Sequence, residues 1–356
     1  MRALIVAPLW FPITCNAHGG IETLLAVLIS ALERAGCRVT LIATGDSKTD
    51  ARLVPAVPRN LYDEMLRGAA AEYTYYEQHQ LRLVLDHARD ADVVHSHIGP
   101  AALALSGVPA LRVLHSWHTA ITSDLEWFVR EHPDVNLSTV SEFQARQLRR
   151  NGSTACAVIH NGVDMAAFDF QAASGDELLF IGRIEPAKGV DLAVQAALAL
   201  GRRIVLAGPI VDQGCFDLHV APFLGERIRY VGVVDHARKV QLFGDAAAVV
   251  MPSRVDEACP MVCIEALACG TPVVGSTRGA LPELIEPGVT GYLADEAAVL
   301  PECIDAAARL DRRAIRDRAA QRFDVHAVAA RYLALYTALV ERDAGARLPA
   351  STPETA

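Results

Sequence analysis

Short apolar runs alternate along this chain with stretches whose apolar residues recur at helical spacing, and the alternation occurs twice over. Repetition of that kind predicts parallel sheets with helices on their faces, because a parallel connection needs a helix-length crossover and takes one hand. The first series opens with Ala3 to Ala7, a long turn to Gly20, and helical spacing of Leu24, Leu25, Val27, Leu28 and Leu32 over Ile21 to Ala35. Arg38 to Ala43 then reads as the second strand, with Gly36 where a helix ends in a left-handed residue. Further strands are expected at Asp92 to His95, Arg112 to His115 and Asn136 to Val140.

The second series starts after Asp176 with Leu178 to Gly182, continues as a helix through Leu192 and Leu198, and adds strands at Arg203 to Ala207, Ile228 to Val231, Ala247 to Met251 and Pro272 to Gly275. A chain of 356 residues has the length of two domains rather than one. The expected fold class is therefore α/β, with two Rossmann-like, doubly wound parallel-sheet domains facing across a cleft. The boundaries read 1–160 for the first domain, 161–175 for a hinge, 176–324 for the second, 325–344 for a last helix with periodicity from Val325 to Val340, and 345–356 for a disordered tail.

Composition narrows the partners. With 52% hydrophobic and 21% charged residues, the chain has the balance of a compact soluble protein. A formal charge of −9 offers nucleic acid little of the clustered cation that phosphate binding requires. No run approaches the ~18 apolar residues of a membrane span, and the opening strand is too short for a signal peptide. Eight cysteines without CxxC pairing read as small hydrophobes in a reducing compartment, so a cytoplasmic location is expected. Oligomeric state is left open.

Neither series carries GxGxxG or GxxxxGK[ST], which discourages dehydrogenase and kinase readings and turns attention to other strand-end loops. In open α/β sheets, ligands bind beyond the carboxyl ends of the strands. After Met251 comes Ser253-Arg254-Val255-Asp256-Glu257-Ala258-Cys259-Pro260, then an apolar helical segment from Met261 through Val262 to Cys269, closed by Gly270. Pro260 suits the first helical position, and the N–H groups of the following turn favour an anion such as a diphosphate. Glu257 and Glu265, seven residues apart between them, are acceptors for sugar and ribose hydroxyls. Glu265 lies between Ile264 and Leu267 in a helix with almost no other polar residue, which argues against a broad solvent face.

Arg183 and Lys188 follow the strand ending at Gly182, where two cations neutralise a diphosphate and stabilise it as it leaves. By themselves, two basic residues in a loop are ordinary surface charges. Gly19 and Gly20 precede the helix at Ile21 and permit close backbone approach to a ligand, or simply a turn at positive φ. His95, His97, His115 and His118 lie near strand ends, yet no Cys or carboxylate completes a recognisable zinc spacing among them.

With these residues in place, the sequence resembles the retaining GT-B glycosyltransferases of the family-4 type along nearly its whole length. The resemblance rests on His18-Gly19-Gly20-Ile21-Glu22, on Leu114 to Thr119, on Phe180-Ile181-Gly182-Arg183 followed by Lys188-Gly189, and on Glu257 to Glu265 followed by Ala266-Leu267-Ala268-Cys269-Gly270-Thr271-Pro272-Val273-Val274. It implies an EX7E motif in which Glu265 binds the ribose and Glu257 lies beside the transferred sugar, with the start of that helix, through Cys259, Pro260, Met261 and Val262, on the diphosphate. Arg183 and Lys188 match the family's phosphate-binding pair. Gly232-Val233-Val234 matches the segment whose backbone reads the base, Gly20 the loop facing the phosphates, and His118 a histidine near the reacting sugar and acceptor.

The same resemblance implies no metal or other cofactor, a nucleotide-sugar donor with UDP favoured, a hydroxyl acceptor, and a last helix that crosses back to the first domain. Between the two glutamates the chain reads Ala258-Cys259-Pro260 where many relatives carry a Gly-Phe-Gly-like run, which leaves the donor sugar open. Arg146, Arg149 and Arg150 form the only basic cluster comparable to a membrane-docking helix, and beside Glu142 in an acidic chain they favour a soluble acceptor. A UDP-sugar 2-epimerase of the same fold and a non-catalytic nucleotide-sugar-binding protein are the alternatives.

Overall fold

A computed structural model of the chain describes residues 1–15, 19–150 and 156–346. Its strands are β1 (Arg2–Val6), β2 (Arg38–Thr44), β3 (Arg52–Val57), β4 (Val93–Ser96), β5 (Val113–Trp117), β6 (Asn136–Thr139) and β7 (Cys156–Val158), followed by β8 (Leu178–Ile181), β9 (Ile204–Ala207), β10 (Ile228–Tyr230), β11 (Ala248–Met251), β12 (Val273–Gly275) and β13 (Gly291–Leu293). They form a seven-stranded sheet in the order β3-β2-β1-β4-β5-β6-β7 and a six-stranded sheet in the order β10-β9-β8-β11-β12-β13. Pairing is parallel wherever the register is resolved, with Leu4 opposite both Thr40 and Val94, and Val249 opposite both Leu179 and Val273. The α/β class with two parallel sheets is what the strand-helix alternation predicts.

Two compact units divide the chain. One comprises Met1–Trp117, His132–Ser138 and the chain from Ala329 onward, and the other His118–Glu131 with Thr139–Val328. In the second sheet, alternate residues of one strand serve different cores. Leu178 and Phe180 pack with Ile204, Leu206, Val250 and Val194, whereas Leu179 packs with Val205, Val249, Val273, Ile264 and Phe243. A strand buried on both faces must be apolar throughout, which is why these runs are continuous in the sequence.

The strands missing from the sequence reading have physical reasons. Pro55 sits inside β3 and interrupts the pattern, but β3 is an edge strand, where a residue without an N–H is tolerated. β7 and β13 are short, and Gly291 in β13 lies so close to the Val273 carbonyl that no side chain fits there. Pro260 is the N-cap of the helix Met261–Ala268 rather than its first residue.

The last helix, Val325–Ala346, is longer than its periodicity suggested and includes Gly345 and Ala346; residues 347–356 lie outside the described residues. It brings Tyr336 Oη to 2.6 Å from His95 Nδ1, and Tyr332 Oη to 3.2 Å from Ser116 Oγ. His95 Nε2 also meets Ser116 Oγ at 2.7 Å, so His95 belongs to a buried polar network under this helix. Among the described residues, no helix is long and apolar enough to cross a membrane.

Candidate functional site

Strand order in the second sheet reverses direction between β8 and β11, and the loops leaving those two strands flank the crevice where such sheets bind ligands. After β8 the chain passes Arg183 into a single turn, Pro186–Lys188, and then Gly189 at φ 70° starts the helix Val190–Leu200. A side chain at Gly189 would collide with the Pro252 carbonyl of the loop after β11, so glycine is required both by conformation and by close approach. Arg254 clamps the two loops: its N–H donates to the Ala187 carbonyl at 2.8 Å, and its guanidinium forks onto Asp191 at 2.6 Å from each nitrogen.

This compression places Lys188 Nζ 2.5 Å from Glu257 Oε1, with Ser253 Oγ donating to the same oxygen at 3.1 Å. The side chains of Lys188 and Glu257 are 21% and 14% exposed, so the pair is partly desolvated yet reachable. Glu257 is fixed through its backbone as well. Ala280 N–H donates to its carbonyl at 2.8 Å, and Gly279, at φ 58°, lies against its peptide so closely that any side chain there would clash.

Glu265 has a different partner. Its carboxylate is 4% exposed and accepts from Lys239 Nζ at 2.6 Å, from the helix His236–Asp245 that follows the Gly232-Val233-Val234 segment. The buried position expected from its apolar neighbours is observed, whereas Lys239 belonged to no sequence signature. Arg183 pairs with Glu185 through its Nε at 2.8 Å and keeps 57% of its side chain exposed.

The helix Met261–Ala268 starts at Pro260 without a side-chain cap, leaving first-turn N–H groups without that partner. Asn161 Nδ2 donates to the Cys259 carbonyl at 3.3 Å and steadies the approach to the helix. Burial pushes the Cys259 thiol up to about 12, so it stays neutral and acts as a small apolar residue. At the end of β10, Gly232 takes φ 72°, its carbonyl accepts from Gly208 N–H at 2.8 Å, and Val233 stands 59% exposed, leaving this segment open to solvent. Beyond Ser253 and Asp256 opens a cavity of about 770 Å³ that reaches Ser276, Arg278 and Arg146.

Sequence reasoning also missed Glu283. Its carboxylate accepts the N–H groups of Glu142 and Phe143 at 2.6 and 2.5 Å, capping the helix Glu142–Arg150 from outside. Against the desolvation of burial, hydrogen bonds from His160 and from these two N–H groups hold its pKa below the usual value. In the basic cluster, Arg149 pairs with Glu142 at 2.5 Å and Arg146 lies 4.0 Å from Glu283. Nothing in sequence spacing points to a contact between residues so far apart.

His118 follows β5 and remains half-buried, with desolvation of its ring lowering its pKa to about 4, so the imidazole is neutral near pH 7. His115 is likewise pushed down to about 4 by burial, and its Nε2 lies 2.9 Å from Ser106 Oγ. Gly19 is the N-cap of the helix Gly20–Arg34 at φ −92°, so it does not serve a positive-φ turn. A side chain there would run into the Glu22 carboxylate and approach Phe11 Cδ2 to 3.2 Å. His18 lies outside the described residues.

Known proteins resemble this chain in sequence and fold. The sequence profile of glycosyltransferase family 4 matches residues 18–167, and that of glycosyl transferases group 1 matches residues 170–321. The chain is a GT-B glycosyltransferase. It is 28% identical to the glycogen synthase of Mycobacterium tuberculosis, over 98% of each chain. The crystal structure of AviGT4, a glycosyltransferase involved in avilamycin A biosynthesis, superposes with a TM-score of 0.73 and 27% identity over 96% of this chain and 98% of that one. The Anabaena HepE structure, in complex with UDP and glucose, shares the fold with a TM-score of 0.70 at 18% identity over 95% of this chain and 99% of that one. In this glycosyltransferase the group 1 match spans the Arg183, Lys188, Glu257 and Glu265 loops, and the family 4 match spans Gly19, Gly20 and His118.

Proposed function

We propose that this glycosyltransferase moves a sugar from a nucleotide diphosphate sugar, UDP-linked by preference, to a hydroxyl acceptor with retention of anomeric configuration. The observation that carries the reading is the meeting of Lys188 and Glu257 at the switch point of the second sheet, beside an uncapped helix start. The UDP preference is supported by the nucleotide bound in HepE. Retention rests on the resemblance of the Glu257 to Glu265 segment to the EX7E motif of retaining enzymes.

In this reading the diphosphate lies at the N–H groups of Met261 and Val262, with Cys259 and Pro260 bounding it, and shares the Lys188 ammonium with Glu257. Arg183 swings from Glu185 to the outer phosphate. Glu265, held by Lys239, accepts from the ribose, and the Val233-Val234 backbone meets the base. As the bond from the anomeric carbon to the diphosphate oxygen breaks, the acceptor oxygen bonds to that carbon and its proton passes to the departing nucleoside diphosphate. Charge grows on the diphosphate during this step, so fixed cations stabilise the transition state more than the bound donor. His118, neutral at pH 7, hydrogen-bonds the reacting sugar.

These protein cations take the role that a divalent ion has in other transferases, and no metal or other cofactor is required in this reading. NMR of the product formed from UDP-α-glucose, with and without EDTA, tests the reading. The expected outcome is an α-linked product in both. A β-linked product overturns retention, and activity lost in EDTA and restored by Mg²⁺ or Mn²⁺ overturns metal independence. In the same assay His118→Ala should lower kcat while sparing UDP affinity; an unchanged kcat removes His118 from the reaction.

A further inference from the structure

The first sheet has a switch point of its own, between β1 and β4, and the chain leaving β1 builds an aromatic surface there. Trp10 stacks on Tyr73 with ring centroids 4.5 Å apart and planes 12° from parallel. Phe11 meets Tyr62 at 5.0 Å. The arrangement is held by the backbone: Leu9 N–H donates to Tyr73 Oη at 2.9 Å, and Tyr62 N–H to the Trp10 carbonyl at 3.2 Å. Tyr73 covers one side of the indole, yet Trp10 is 40% exposed and Tyr62 45% exposed. Large aromatic rings left in water beside a strand end are expected where a ligand completes their burial.

Two carboxylates accompany the rings. Glu22, only 5% exposed, sits against Gly19 and Phe11, and Glu77 lies one helical turn from Tyr73 on the same face. Desolvation raises the pKa of each, no ion pair reaches either carboxylate among the described residues, and both add negative potential at the Tyr73 hydroxyl. A surface of this kind repels a phosphate and accepts hydrogen bonds from hydroxyls. The C–H edges of a pyranose carry a weak positive charge that suits the face of an indole.

We propose that this end of the first sheet holds the acceptor and that the acceptor is a neutral saccharide, its ring lying on Trp10 and its hydroxyls donating to Glu22 and Glu77. The assignment rests on the glycosyltransferase reading above and adds the chemical class of the acceptor. It gives the two carboxylates a role in recognition, since a phosphorylated sugar would meet uncompensated negative charge.

The test uses the full chain with radiolabelled UDP-glucose, a panel of neutral mono-, di- and trisaccharides, and the phosphate esters of the same sugars. Donor hydrolysis by water is measured in parallel. The expected result is transfer to one or more neutral sugars and none to their esters. Trp10→Ala should then lower kcat/KM for that sugar by about tenfold or more with donor hydrolysis unchanged, as loss of a stacking contact predicts. Glu22→Gln with Glu77→Gln should open the site to the phosphate ester. Transfer to esters by the wild type, transfer insensitive to Trp10→Ala, or donor hydrolysis with no saccharide accepted would each overturn the acceptor proposal and leave the transferase reading in place. Absence of both UDP-glucose binding and hydrolysis would overturn the transferase reading, and this proposal with it.

Discussion

The strand-end loops of the two sheets handle their carboxylates in opposite ways. Beyond the second sheet, Glu257 is bound to Lys188 and Glu265 to Lys239, each at direct hydrogen-bond distance. Beyond the first sheet, Glu22 and Glu77 are desolvated beside aromatic rings, and their pKa values rise. A carboxylate with an ammonium beside it is oriented as an acceptor, and its cation is on hand for a phosphate. One without a cation penalises any anion that approaches. The difference suits a diphosphate at the second sheet and a neutral hydroxyl compound at the first.

The largest effect expected from this contrast is on turnover. Lys188→Ala and Arg183→Ala remove preorganised stabilisation of a leaving group, a loss of ~10²- to 10³-fold in kcat each. Wild-type kcat and UDP affinity in both variants, with the fold verified by circular dichroism, would make these residues ordinary loop charges and dissolve the contrast. Next in size, Glu265→Ala should weaken UDP binding by about 1.5–3 kcal/mol, the range for a hydrogen bond to a charged group. Glu257→Ala should spare UDP affinity and damage use of the sugar donor. Calorimetry showing equal losses from both would merge the roles that their separate lysine partners distinguish.

Gly279→Ala sharpens the geometry. The new methyl group would meet the Glu257 peptide and sit at positive φ, a strain of roughly 1–3 kcal/mol. Thermal unfolding should show that loss, together with reduced donor use; a variant as stable and active as wild type would mean that the Glu257 loop is not held by this contact.

The smallest effect concerns pH, where the two signs differ. Glu22 has its folded pKa above the ordinary 4.5, so the unfolded chain releases that proton first and stability falls as pH rises from the unfolded to the folded value. Glu283 has its folded pKa below 4.5, so its contribution is present above the unfolded value and lost as pH falls through the folded one. Melting temperatures recorded across the acid range should show Glu22→Gln removing a decline with rising pH, and Glu283→Gln a decline with falling pH. Slopes unchanged from wild type would mean that burial does not shift Glu22, or that the hydrogen bonds from His160, Glu142 and Phe143 do not shift Glu283.

Much of the candidate site was legible because its charged groups lie in short segments. Arg183 with Lys188, and Glu257 through Glu265, are each carried by one strand-loop-helix passage, so the sequence shows both the element and the functional group. The parallel fold was legible for a similar reason: strands covered on both faces must be apolar at successive positions, as at Leu178–Ile181.

Contacts between distant segments had no such trace. Lys239 reaches Glu265 from a helix 26 residues earlier, Glu283 caps a helix 141 residues before it, and Tyr336 meets His95 across 241 residues. The amino-acid sequence by itself determined which residues alternate, which loops end strands and where carboxylates and cations occur. Only the tertiary structure decided which cation each carboxylate meets, which aromatic rings stay exposed and why Gly19 and Gly279 must lack side chains. Those outcomes depend on distances set when separate loops converge at one end of a sheet, and residue spacing along the chain does not encode them.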